Sequence, residues 1–229
     1  MSPEVPYVLA AILDVLGYGA RLEADRRSGR LDFKDALQKA MQVLSDVNEA
    51  EFAYTAISDT IIITRTDDGD LPGLLNLLKK VQLAFLREGM LIRGGLAYER
   101  HFKSSNITYS HALALAHQVE SSLAIYPRIV IDTNLVGTQK TKGFWPAVTK
   151  SQLVCECNGI YFVNVLDAVN WQQVYAWVRA IYEKEKASLA GREKEFSKHA
   201  WLQNYLLSSQ HATRDVGHPI YMPQITLAA

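Results

Sequence analysis

Two acids stand where a folded chain least tolerates them. The apolar run Tyr7-Val8-Leu9-Ala10-Ala11-Ile12-Leu13 is bare enough to be a strand buried on both faces, and it ends at Asp14. Phe52-Ala53-Tyr54-Thr55-Ala56-Ile57 and Thr60-Ile61-Ile62-Ile63-Thr64 read as two strands meeting at a tight turn, Ser58-Asp59. Asp59 is therefore an acid at a second strand mouth, flanked by β-branched residues that cannot hide its charge. A carboxylate so placed is costly unless something compensates it, and a divalent cation is the usual compensation. If the two strands are neighbours, both acids face one site. Gly17 and Gly19 follow Asp14, spaced around Tyr18, and glycines there let backbone N–H groups approach an anion closely. Strand, acid and glycine-containing loop read together as a metal–phosphate site. For Asp14 by itself the plain alternative is an acid that caps the following helix.

The elements that position these residues follow from periodicity. Arg21 to Arg30 is charged and reads as flexible. Leu31 to Asn48 has helical spacing through Leu37, Met41 and Leu44, and Leu71 to Gly89 is a helix with Pro72 in its first turn and Gly89 as its cap. Met90 to Tyr98 reads as a strand interrupted by Gly94-Gly95, which implies a bulge or the close approach of a ligand or another backbone. Phe102 to Tyr109 is a hairpin or loop, Ser110 to Leu123 a helix, and Ile129 to Asp132 a short strand. Thr133 to Lys150 reads as mobile loop. Asn158-Gly159 marks a hairpin between Gln152–Cys157 and Ile160–Val165, helical spacing returns over 167–209, and 211–229 reads as an extended tail. The order β-α-β-β-α-β followed by further elements matches a ferredoxin-like split βαβ core with additions.

Bulk properties narrow the function. The 229 residues are 48% hydrophobic and 21% charged, which suits a globular chain with a sizeable core. Lys plus Arg and Asp plus Glu both number 24, so no global basic field exists to hold nucleic acid or an anionic membrane. Cys155 and Cys157 have no second pair to complete a zinc site, and read as reduced thiols. No apolar run approaches the roughly 18 residues that a membrane span needs, and Asp14 interrupts the one candidate for a signal sequence. A cytoplasmic location is expected.

The segments LDVLGYG, SDTIII, RGGLAYE and AHQVESSLAIYPRIVID occur in this order, on the expected strands and helices. Together they resemble class III nucleotidyl cyclases, and within them the bacterial pyrimidine cyclases of the Pycsar anti-phage systems. The resemblance runs from about Tyr7 to Asp132 and, more loosely, through the NGIYFV hairpin and the C-terminal helices. It implies an α+β fold: a ferredoxin-like split βαβ core with a mixed or antiparallel sheet and added C-terminal helices. The corresponding division is a catalytic domain over 1–166 (core about 5–132), a helical extension over 167–210 and a tail over 211–229.

The resemblance also implies a chemistry. Asp14 and Asp59 are the carboxylates for two divalent cations, Mn²⁺ or Mg²⁺, with the Val15 carbonyl as a further ligand. Leu16, Gly17, Tyr18 and Gly19 offer backbone N–H groups to a triphosphate. Arg93 is the candidate cation near the phosphates, and the alternative for it is a surface arginine. The reaction implied is UTP to 3′,5′-cyclic UMP and diphosphate, or CTP to cyclic CMP, in a homodimer whose product acts on a separate effector during anti-phage defence. Three positions depart from the purine cyclases. Ala114 and Gln118 stand where those enzymes carry an Asn and an Arg, and Thr55, beside Tyr54, stands where they carry a base-reading Lys. Tyr54 and Thr55 are therefore the base-recognition candidates, and a non-catalytic nucleotide-binding module is the rival reading. Of the remaining polar residues, His117 is expected to be packed in the core, His111 to sit without a role in the first turn of its helix, and Arg128 to serve the start of a strand. Lys140 and Lys142 are expected on a solvated loop, with closure over a triphosphate as the alternative.

Overall fold

The computed structural model of the protein describes residues 5–45, 47–65, 70–212 and 220–223. The opening run forms β1 (Tyr7–Val15), which is flanked on both sides by antiparallel partners, β3 (Thr60–Arg65) and β4 (Ile92–Lys103). That central place explains its unbroken apolar character, because each face of the strand meets a different layer. Leu9, Ala11, Leu13 and Val15 point into the main core with α3 (Leu71–Arg87), whereas Val8, Ala10 and Ile12 lie beneath α4 (His111–Leu123).

β2 (Phe52–Ile57) forms the sheet edge beyond β3, giving the order β2-β3-β1-β4 with antiparallel neighbours throughout. This is the split βαβ arrangement. β6 (Ile129–Ile131) then pairs parallel to β4, and a hairpin of β7 (Val154–Cys157) and β8 (Ile160–Val163) extends the mixed sheet from β6. β5 (Thr108–Ser110) pairs with the far end of β4. The fold is α+β, as the motif order implies.

Both expected tight turns are present. Ser58, at φ 57°, opens the two-residue turn from β2 to β3, and Asn158 and Gly159, at φ 53° and 73°, make the turn from β7 to β8. The glycines of β4 mark a close approach, with the pairing to β1 running through them unbroken. A Cβ on Gly95 would lie 2.1 Å from the Ala116 carbonyl oxygen and 2.6 Å from the Glu120 nitrogen. The backbone of α4 therefore rests directly on the sheet at this point.

Two segments differ from expectation. Residues 18–28 form a helix, α1 (Tyr18–Ser28), in which no residue is buried, so there was no apolar period to read. Glu23 holds it from the outside, pairing with Arg26 and Arg27 at 2.7 and 2.6 Å. The chain continues through α2 (Asp32–Met41). Residues 133–150 are α5 (Thr133–Thr141) and α6 (Trp145–Lys150), separated by Gly143 at φ 76°. Asp132 caps α5 by accepting from the Leu135 N–H, and Leu135, Val136 and Val148 enter the main core.

The chain divides into two compact units, Met1–Val165 and Leu166–Ala229. The second contains α7 (Trp171–Glu185) and α8 (Glu193–Ser208), joined where the Trp171 indole N–H donates to the Leu206 carbonyl at 2.9 Å. Gln203 Oε1 accepts the Tyr221 and Met222 N–H groups and so fastens residues 220–223 to α8. Most of the expected tail, 213–219 and 224–229, and most of the polar loop 66–70, lie outside the described residues. Among the described residues, no helix is long and apolar enough to cross a membrane.

Candidate active site

Antiparallel pairing of β1 and β3 places the turn acid beside the end of β1. Asp14 is in register with Thr60, and the next N–H, that of Val15, donates to the Asp59 carbonyl at 3.0 Å. Standard spacing along and across a sheet puts the two aspartate Cα atoms roughly 6 Å apart. Both residues are half-buried and reach the same end of the strand pair. Val15 lies between them, its side chain in the core. The capping alternative for Asp14 does not hold, since the residue at the head of α1 is Gly17, with no side-chain cap bond.

The Asp14 carboxylate meets Arg93 instead. The two residues are directly paired across β1 and β4, and Arg93 Nε donates to Asp14 Oδ2 at 2.9 Å. The same guanidinium places Nη2 2.8 Å from Glu120 Oε1 on α4. This second contact is an ion pair without hydrogen-bond alignment, and Oε1 is buried with no hydrogen-bond partner. Burial pushes the Glu120 carboxyl above the usual carboxylate range; Arg93 opposes the shift, and the Asp14 charge adds to it. Arg93 is thus a shared cation between two acids. Glu120 was not foreseen as part of the site. Its one sequence signal is an acid beside Ala112, Ala116 and Val119 in the buried stripe of α4.

The loop after β1 leads straight into α1. Gly17 has φ 75°, and helix geometry leaves the N–H groups of the first turn without intrahelical partners. No acid stands in that turn, so Gly17, Tyr18 and Gly19 present N–H donors and the positive end of an 11-residue helix. Leu16 is the exception in the expected set, because its N–H donates to the Leu91 carbonyl at 2.9 Å.

Tyr54 and Thr55 diverge across the sheet. Thr55 pairs with Ile62 and Ile62 with Ile12, which carries Thr55 onto the face that bears Asp14. Tyr54 pairs with Ile63, on the opposite face, at the open sheet edge. Ala114 and Gln118 line an open groove of about 570 Å³ with Tyr109, Ser110 and His111.

Other polar candidates fall away from the acids. His117 is exposed and not packed in the core, because the buried stripe of α4 runs through residues 112, 116, 119 and 120. His111 is exposed in the first turn of α4, with Nε2 2.9 Å from the Tyr109 hydroxyl. Arg128 is buried against the Tyr126 and Phe162 rings, beside the start of β6. Lys140 and Lys142 belong to or end α5, and their ammonium groups lie 5.2–5.3 Å from the ring centres of Trp145, Tyr161 and Tyr98. Tyr98 pairs with Leu9, five residues up β1 from Asp14, or about 17 Å at strand spacing.

The donor set decides what the two acids suit. Carboxylate and carbonyl oxygens are hard ligands that fit Mg²⁺ or Mn²⁺. No group of three or more His, Cys, Asp or Glu placed to hold a metal occurs among the described residues.

No protein-family model matches the chain, and no curated protein matches it. Solved structures with a similar chain path include nucleotidyl cyclases. The guanylyl cyclase Cya2 is 14% identical over 73% of this chain and 96% of its own, with a TM-score of 0.44. A bacterial light-regulated adenylyl cyclase is 11% identical over 72% of this chain, with a TM-score of 0.40, and this chain spans about half of that one, 54%. A further structure of a bacterial light-regulated adenylyl cyclase is 13% identical over 78% of this chain and all of its own, with a TM-score of 0.41.

Proposed function

We propose that the protein is a pyrimidine nucleotide cyclase that converts UTP to 3′,5′-cyclic UMP and diphosphate. The observation that carries this reading is the junction of Asp14 and Asp59 through the Val15 N–H, at the mouth of a helix whose first turn faces the same loop. The chain's own residues divide the work. Asp14 and Asp59, with the Val15 carbonyl, would hold two divalent cations. Gly17, Tyr18 and Gly19 direct N–H groups at the triphosphate, and Arg93 supplies a guanidinium for phosphate oxygens, which it can hold in a bidentate way. When bound, the cations favour the ribose 3′-alkoxide and neutralise charge on the phosphates.

The ribose 3′-hydroxyl gives its proton to water, its oxygen bonds to the α-phosphorus, the bond from that phosphorus to the α–β bridging oxygen breaks, and diphosphate leaves. No side-chain nucleophile is required. Of the two base-recognition candidates, Thr55 shares the face of Asp14 and reads the base, whereas Tyr54 lies on the opposite face. The working form is a homodimer with two equivalent sites, cytoplasmic, whose cyclic product acts on a separate effector in anti-phage defence.

The test is incubation with each of the four ribonucleoside triphosphates and Mn²⁺, with products separated by chromatography. Cyclic UMP from UTP alone is the expected result. Cyclic CMP would transfer the reading to a cytidylate cyclase, a purine product would overturn the pyrimidine assignment, and no product from any would leave a nucleotide-binding module.

A further inference from the structure

Arg93 cannot serve Asp14 and a phosphate at once unless something holds it when Asp14 turns to a cation. The structure contains such a group. Glu120 enters from α4, opposite the strand that carries Asp14, and its carboxylate is 6% exposed, whereas Asp14 and Arg93 are 24% and 28% exposed. A buried carboxylate compensated by an ion pair alone is a costly feature, and replacing both partners by apolar groups would often be neutral or better. Its position is nonetheless enforced by backbone. Gly95 lets α4 descend until the Glu120 nitrogen lies 2.6 Å from where a Cβ would be, and this sets the carboxylate over Arg93.

We infer that Glu120 is a positioning residue that takes over Arg93 from Asp14 when a divalent cation binds. This inference rests on the reading that Asp14 and Asp59 are cation ligands. Without a cation, the guanidinium bridges both acids and compensates Asp14. With one, Asp14 would serve as a cation ligand, and the Nη2–Glu120 contact would keep Arg93 at the site's edge, where it would neither compete for Asp14 nor leave. Glu120 acts through Arg93 and touches neither metal nor substrate.

The experiment measures Mn²⁺ affinity without nucleotide, by titration calorimetry, on the full chain and on Glu120→Gln, Glu120→Asp, Arg93→Met and the Glu120→Gln/Arg93→Met double variant. Circular dichroism checks each fold, and Asp14→Asn/Asp59→Asn sets the baseline. Loss of Glu120 leaves Arg93 with Asp14 as its one acid, so Glu120→Gln should weaken Mn²⁺ binding about tenfold, the order of effect of groups that orient metal ligands. Glu120→Asp keeps the charge and loses the reach, and should weaken it similarly. In the Arg93→Met background the further change Glu120→Gln should matter less than about twofold, since effects that act through a shared partner do not add. An equal loss in both backgrounds, or full affinity in Glu120→Asp, would make Glu120 a through-space charge and overturn the inference. Mn²⁺ binding that Asp14→Asn/Asp59→Asn abolishes but Glu120→Gln spares defeats the inference alone. Absent binding, or binding that survives loss of both aspartates, defeats the cation reading and the inference with it.

Discussion

Gly95→Ala tests the frame of the site with one methyl group. The added Cβ would lie 2.1 Å from the Ala116 carbonyl oxygen and 2.6 Å from the Glu120 nitrogen, both backbone atoms that no rotamer change can move. Relief to about 3 Å requires α4 to withdraw by roughly 1 Å, and overpacking of this kind costs about 1–3 kcal/mol. The same withdrawal lengthens the 2.8 Å Arg93–Glu120 contact and leaves a buried carboxylate with less compensation, which places the total near the top of that range. At about 2–4 °C per kcal/mol for a chain of this size, 3 kcal/mol lowers Tm by roughly 6–12 °C. The assay is thermal unfolding followed by circular dichroism, repeated in urea, with Gly137→Ala as control. Gly137 lies in α5 with open space around its Cβ position, so alanine there should be neutral or stabilising by about 0.5–1 kcal/mol. Equal Tm values for Gly95→Ala and the unsubstituted protein would refute the close approach of α4.

Asp14→Asn and Asp59→Asn should each lower cyclic nucleotide formation by about 10²-fold or more, the scale lost when one charge-stabilising group is removed, with the circular dichroism spectrum unchanged; full activity in either would remove the two-acid site. Gly19→Ala meets open space in the first turn of α1 and should raise stability slightly, whereas Gly17→Ala at φ 75° should lower it by about 1 kcal/mol; urea midpoints with the opposite order would contradict the loop geometry. Burial pushes the Cys155 thiol up to about 11, whereas Cys157 is exposed, so at pH 8 iodoacetamide followed by peptide mass spectrometry should label Cys157 first. Burial, with Lys103 adding to it, holds His101 below the ordinary histidine range of about 6.5. The unfolded chain then binds the proton at higher pH than the folded one, so stability should fall as pH drops through about 6.5, and the urea midpoint of His101→Gln should be less pH-dependent between 8 and 5.5; an identical slope would refute this.

The sequence announced what burial and turn chemistry impose. β1 could be read because both its faces are covered, and the turns at Ser58-Asp59 and Asn158-Gly159 because few residue pairs suit a two-residue reversal between apolar strands. α1 could not, since a helix with no buried residue has no apolar stripe and is held by Glu23, its arginines and a glycine at each end. The helices over 133–150 were masked by Gly137, Gly143 and four threonines, and Asp132, which caps the first of them, read as the end of a strand. Asp14 and Asp59 stood out as charges at strand ends, and Arg93 entered through the resemblance. Glu120 did not, because its meaning depends on the depth to which Gly95 admits α4, a tertiary fact.

β1 lies inside the sheet, and it precedes both of its pairing partners in the chain. β1 ends at Val15, yet its pairing extends to Arg65 on one side and Arg100 on the other. At about 5–20 residues per second, the 85 residues from Val15 to Arg100 take roughly 4–17 s to emerge. Until Arg65 emerges, 50 residues after Val15, Val8 to Leu13 is an uncharged, β-prone hexapeptide without a partner, and its second side stays open until Arg100; such a segment seeds intermolecular pairing. Pro6 stands before it and Asp14 after it, one unable to donate to a ladder and the other charged, which are the two gatekeepers that protect such segments in nascent chains. Asp14 thus has a duty to discharge before any site exists around it.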